Sequence, residues 1–117
     1  MRQLGVVISD RGSKYAVSGG SVADRNQAEA FLAALKAQKK YAKATHNSWA
    51  ALLPTGPLRH DDGEAGAGDI ILRMLQRAGL LGQIVVVTRW YGGVQLGGDR
   101  FRHIIECVRL YLAEAGG

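Results

Sequence analysis

The chain opens on two short runs in which apolar and polar positions alternate. Gln3–Ser9 (QLGVVIS) and Ser13–Ser18 (SKYAVS) predict a pair of strands, joined by Asp10-Arg11-Gly12, where a glycine supplies the positive φ of a tight turn. Gly19-Gly20 predicts the end of the second strand. The period then becomes helical. Ala28, Phe31, Leu32 and Leu35 stand at i, i+3, i+4 and i+7, and Asp24 with Gln27 resembles a capping box, which predicts one helix running to about Lys40. Ala44–Leu53 reads as a strand ended by Pro54, with a turn over residues 54–57 and a short return at Leu58–His60. Beyond the loop HDDGEAGAG (60–68), Asp69–Ala78 carries Ile71, Leu75 and Ala78 at helical spacing, with Gly79 as its stop. Gln83–Tyr91 is almost continuously apolar and β-branched, which predicts the central strand of a sheet. A second glycine-rich loop, GGVQLGG (92–98), leads to a helix capped by Asp99 with Phe101, Ile104, Ile105, Val108 and Leu112 on its buried face.

A hairpin followed by alternating helices and strands predicts an α+β fold, a two-layer α/β sandwich in which helices cover one face of a mixed sheet. The 117 residues, 47% hydrophobic and 21% charged, suit a single folded domain over 1–117 with no second domain. No apolar run approaches the ~20 residues that cross a bilayer, and the start lacks the apolar core of a secretory signal. One cysteine, Cys107, excludes an internal disulfide and a cysteine-based zinc site. These features predict a cytoplasmic protein.

The net charge of +5 is unevenly spread: residues 30–60 carry five basic side chains and no acid, while residues 61–69 carry four acids and no base. A basic protein with one acidic loop points to a polyanionic partner, an acidic protein partner, or simply a solubilising surface. The two glycine loops match neither the Walker nor the dinucleotide-binding pattern. Asp61, Asp62 and Glu64 supply hard oxygen ligands, but not at EF-hand spacing, and a helix-capping acidic turn is the favoured reading. Cys107 falls mid-helix, away from the N-terminal turn that activates a thiol, and reads as packed. Arg89-Trp90-Tyr91 puts Arg89 and Tyr91 on one side of the strand and Trp90 on the other, as an interface anchor, a base-stacking platform, or a core Trp90 beside an Arg89 paired with the acidic loop. No catalytic constellation, metal or cofactor site is expected from these motifs.

AKATHNSWAALLP (42–54), DDGEAGAG (61–68) and RWYGGVQLGGDRF (89–101), with RGSKYAV (11–17) before them, resemble the IMPACT family, also called the YigZ-like family, over about residues 10–115. Gly66-Ala67-Gly68-Asp69 departs from the Thr-Ala-Gly-Arg-Pro stretch usual in bacterial members, and RWYGG is closer to the eukaryotic branch. The resemblance implies a fold like ribosomal protein S5 domain 2. It also implies a non-catalytic module that regulates translation or the stress response by binding a protein of that machinery, as eukaryotic relatives do.

The surface expected to do so comprises His46, Asn47, Asp61, Asp62, Glu64, Arg89, Tyr91, Gly92, Gly93, Asp99 and Arg100. A second reading has the protein bind RNA or the ribosome through Lys36, Lys39, Lys40, Lys43 and Arg102. A third is a phosphate- or nucleotide-dependent enzyme working in the glycine-loop cleft. The oligomeric state is left open.

Overall fold

The computed structural model describes residues 1–115. Its elements follow the predicted order: β1 (Arg2–Asp10), β2 (Ser13–Ser21), α1 (Arg25–Ala37), α2 (Lys39–Ala42), β3 (His46–Leu53), β4 (Gly56–His60), α3 (Ala67–Ala78), β5 (Gln83–Trp90) and α4 (Asp99–Ala115). One five-stranded sheet has the order β1-β2-β5-β3-β4. The strand with the longest apolar run is thus the middle one.

The α+β class holds, with two corrections. Every strand pair is antiparallel, so the sheet is not mixed. The crossovers β2–α1–β3 and β4–α3–β5 each join strands that point the same way but sit two places apart, and the strand between them runs opposite to both. Nor do the helices keep to one face. Tyr15, Val17, Ala50, Val85 and Val87 pack with α3 and α4, whereas Ala16, Trp49, Ala51, Ile84 and Val86 pack with α1 and α2. Burial on both sides is why Ile84–Val87 is apolar without interruption. Two such crossovers on opposite faces have opposite hands, so one is of the uncommon left-handed kind.

Local departures have local causes. Gly19 and Gly20 do not end β2, which stays paired to β5 as far as Ser21. An added Cβ at Gly19 would meet the Tyr111 ring at 2.4 Å, so this glycine gives α4 room to lie on the strand. The first helix breaks at Gln38, whose backbone is extended, and restarts as α2. On α4 the buried stripe is Ile104, Cys107, Val108 and Tyr111, rotated from the predicted one; Phe101, Ile105 and Leu112 are only partly covered. No helix among the described residues is long and apolar enough to cross a membrane.

Candidate functional site

Strand register sets the site's foundation. Tyr15 of β2 faces Arg89 of β5, and Arg89 faces His46 of β3, so three chemically distinct side chains form one row across the sheet on the α3/α4 side. Glu64 arrives over this row from the loop after β4. Arg89 donates through Nη1 to both Glu64 oxygens at 3.1 and 3.2 Å. His46 Nε2 lies 3.3 Å from Glu64 Oε2, and Arg100 Nη1 lies 3.6 Å from Oε1. The Glu64 and Arg89 side chains are only 3% and 8% exposed. The ion pair is therefore in the interior, held in place by its neighbours.

The acidic loop that delivers Glu64 is built by its own aspartates. Asp61 accepts the Gly66 and Gly68 backbone N–H groups at 3.0 and 2.7 Å, satisfying donors at the start of α3. Its carbonyl accepts the Ser48 hydroxyl at 2.7 Å. Asp62 takes the left-handed conformation, φ 51°, and its carboxylate accepts the Asn47 N–H at 2.7 Å. The Asp62 carbonyl meets His46 Nδ1 at 2.8 Å. The three acids thus diverge, one to the helix start, one to the edge of β3 and one inward to Arg89. Among the described residues no group of three His, Cys, Asp or Glu side chains can hold a metal ion.

Above the pair opens a cleft of about 500 Å³, rimmed by Thr45, His46, Tyr91, Gln95, Leu96 and Arg100. The Arg89 guanidinium lies 5.5 Å from the Tyr15 ring centre and 5.6 Å from that of Tyr91. Burial pushes the Tyr15 phenol up to about 12, and its hydroxyl has no protein hydrogen-bond partner. Arg100, Tyr91 and His46 remain 32%, 44% and 21% exposed, so the rim presents positive charge and donors that the floor does not.

A second cluster pins the glycine loop from outside. Arg11 bonds both Asp10 and Asp99, and His103 Nε2 meets Asp10 at 2.7 Å. Asp99 is the first residue of α4, and its carboxylate binds Arg11 and Arg102 rather than capping the helix. Gly92 lies directly against the β1–β2 turn, where an added Cβ would fall 2.0 Å from the Gly12 carbonyl carbon.

Of the eleven residues expected at a partner surface, His46, Glu64, Arg89, Tyr91 and Arg100 converge on the cleft. Asn47 is buried, donating to the Tyr41 carbonyl and accepting from the Thr88 hydroxyl. Asp61, Asp62, Gly92 and Asp99 hold the loops in shape, while Gly93, at φ 92°, keeps open space around it. The five residues expected to contact RNA do not form one patch: the lysines belong to α1, α2 and the residue after them, and Arg102 lies on α4 across the sheet. Thr45, Gln95 and Leu96 on the rim, and Tyr15, Ser13, Arg11 and His103 around it, escaped the sequence reading. Register with Arg89 places Tyr15 and close approach to Gly92 places Ser13, and neither is visible without the sheet order. Cys107 is packed as expected, and burial pushes its thiol up to about 12.

The Impact N-terminal domain family model matches residues 11–112. Protein IMPACT of Mus musculus is 39% identical over 116 residues, covering 94% of this chain and 36% of that protein. The IMPACT homologue of Caenorhabditis elegans is 36% identical, covering 94% of this chain and 46% of that one. This chain therefore spans between a third and a half of the length of these relatives. A solved structure described only as a hypothetical protein superposes with a TM-score of 0.84 at 25% identity, over 96% of this chain and 57% of the other. The two-domain translational regulator Yih1 superposes with a TM-score of 0.54 at 33% identity, over 92% and 44%. With matching motifs, matching fold and near-complete coverage of its own length, the chain belongs to the Impact N-terminal domain family.

Proposed function

We propose that this domain is a non-catalytic binding module that acts in the cytoplasm on the translation machinery or on one of its regulators, and that it grips a protein partner with the rim of the cleft. The likeness to a translational regulator supports the field of action. The observation that carries the mechanism is the division of labour in the cleft. Glu64 holds Arg89 at the floor and draws His46 Nε2 and Arg100 Nη1 to 3.3 and 3.6 Å, while the exposed parts of Arg100 and Tyr91 form the rim above this base. Arginine and tyrosine on a rigid support are the side chains that anchor protein interfaces. Glu64 and Arg89 are committed to each other rather than poised as a nucleophile or base.

Affinity capture from host lysate with the tagged domain, with and without nuclease, tests this reading. Wild type retains proteins of the translation machinery after nuclease, and Arg100→Ala/Tyr91→Ala loses them while keeping its melting temperature. Equal capture by wild type and variant would overturn the mapping. Capture that vanishes with nuclease would move the assignment to RNA, a reading favoured by the exposed Lys36, Lys39, Lys40 and Lys43 at the α1–α2 corner. Its mark would be an affinity falling with salt by about one log–log unit per phosphate contacted.

A further inference from the structure

We propose that the outer groove between α3 and α4 is a second docking surface, one that receives an amphipathic helix with acidic flanks from a partner protein. The groove, about 250 Å³, is lined by Ile70, Arg73, Met74, Arg77, Ile105 and Arg109. Ile70 and Met74 stand one helical turn apart on α3 and face Ile105 of α4, forming an apolar floor. Arg73 and Arg77, also one turn apart, rail one side, and Arg109 rails the other. Ile71, Leu72 and Leu75 already fill the face that α3 turns to the sheet. Ile70 and Met74 pack along the margin of that core and widen the apolar arc of α3, and both stay partly exposed.

The kind of basic residue is the second observation. Every lysine in the chain lies at or before residue 43, and apart from three histidines every basic side chain after it is arginine. A surface kept basic only for solubility is served equally well by lysine. Arginine's planar fork instead matches carboxylates, and a patch of arginine, methionine and isoleucine without lysine has the composition of an interface centre. Charge selects the partner's sign. Arg73 and Arg109 are held by Asp69 and Glu106 at 3.0 and 2.8 Å, exposed pairs that exchange at little cost, while among the described residues no carboxylate lies within ion-pair distance of Arg77. A neutral or basic occupant would cover these guanidinium groups without pairing them. Ridges at i, i+4 on both walls receive the ridges of a third helix, which selects helix over strand. The groove shares no residue with the cleft, so this inference does not depend on the function proposed above.

The test uses a helix-stabilised, fluorescein-labelled peptide with leucines on one stripe and glutamates flanking it, beside a twin carrying lysine in place of glutamate. Binding is followed by anisotropy and by methyl NMR of the intact domain. The glutamate peptide is expected to shift the Ile70, Met74 and Ile105 methyls, the lysine twin to leave them still, and Arg73→Glu/Arg77→Glu to weaken binding at least about tenfold. Arg73→Gln/Arg77→Gln, milder and at exposed positions, gives the same direction should the reversal disturb the fold. Absence of methyl shifts at millimolar peptide, equal binding of the twin, shifts centred on the cleft, or full affinity in both arginine variants would each overturn the proposal.

Discussion

Two charge clusters flank the start of α4, and they differ in almost everything but composition. The inner one, Glu64 with Arg89, His46 and Arg100, lies under the cleft; the outer one, Asp10 with Arg11, His103 and Asp99, lies in solvent reach beside the β1–β2 turn. Water screens the outer pairs and can replace either partner. It has almost no access to the Glu64–Arg89 pair, so losing Glu64 strands Arg89. Nearness to a candidate surface therefore does not make a charged residue part of it. Arg89, the most prominent basic residue of its motif, is a foundation, and Arg100, which shares Glu64 but stays 32% exposed, is the one that also reaches a partner's side of the cleft.

The sharpest way to break this contrast is to truncate the inner pair. Glu64→Ala is expected to cost about 3–5 kcal/mol in denaturant unfolding, because Arg89 is left buried and unpaired. Glu64→Leu/Arg89→Met, which removes both charges at once, is expected to recover most of that loss. A cost for Glu64→Ala below the ~1 kcal/mol of an exposed pair would erase the distinction between the clusters. An intermediate effect is expected at Asp61, whose carboxylate serves backbone donors at the start of α3: Asp61→Ala should cost about 1–2 kcal/mol. No change in stability there would mean that water caps the helix equally well.

The smallest effect belongs to the outer cluster, and acid reveals it. Hydrogen bonds from Arg11 first and His103 second hold the Asp10 carboxyl far below its ordinary value of 3.8. A depressed carboxyl adds stability that is complete above about pH 4 and drains away as pH falls below that. Asp10→Asn should therefore lower the melting temperature slightly at neutral pH, and the gap from wild type should close as the solution is taken toward pH 2. A gap that stays constant with pH would show that Asp10 acts through packing instead.

Much of the fold was legible because it rests on local pattern. The alternation in β1 and β2, the 3.6-residue period of α1 and the apolar run of β5 each named an element correctly. Sheet direction and helix side were not legible, since both depend on which strands become neighbours, and β5 slips between strands far from it in sequence. The same limit governed the site. Glu64, Arg89 and Arg100 could be picked out as charged residues in glycine-rich motifs, but the role of each followed from depth. Asn47 and Asp62 look like surface chemistry in the sequence and are spent on backbone and neighbouring polar groups. Gly19 looks like a strand breaker because only the packed structure brings the Tyr111 ring against it.

The position of β5 has a consequence for how the chain matures. The hairpins β1–β2 and β3–β4 can each form from local sequence as they leave the ribosome, but no bond joins them until residues 83–90 follow. Until then β2 and β3 each present an unpaired edge, the arrangement most open to misassembly with other chains. The last strand made acts as the keystone, and the buried Arg89 travels with it. A nascent chain halted before residue 83 would thus hold two halves of a sheet with neither its centre nor its charge pair, a form for chaperones to shelter and proteases to clear.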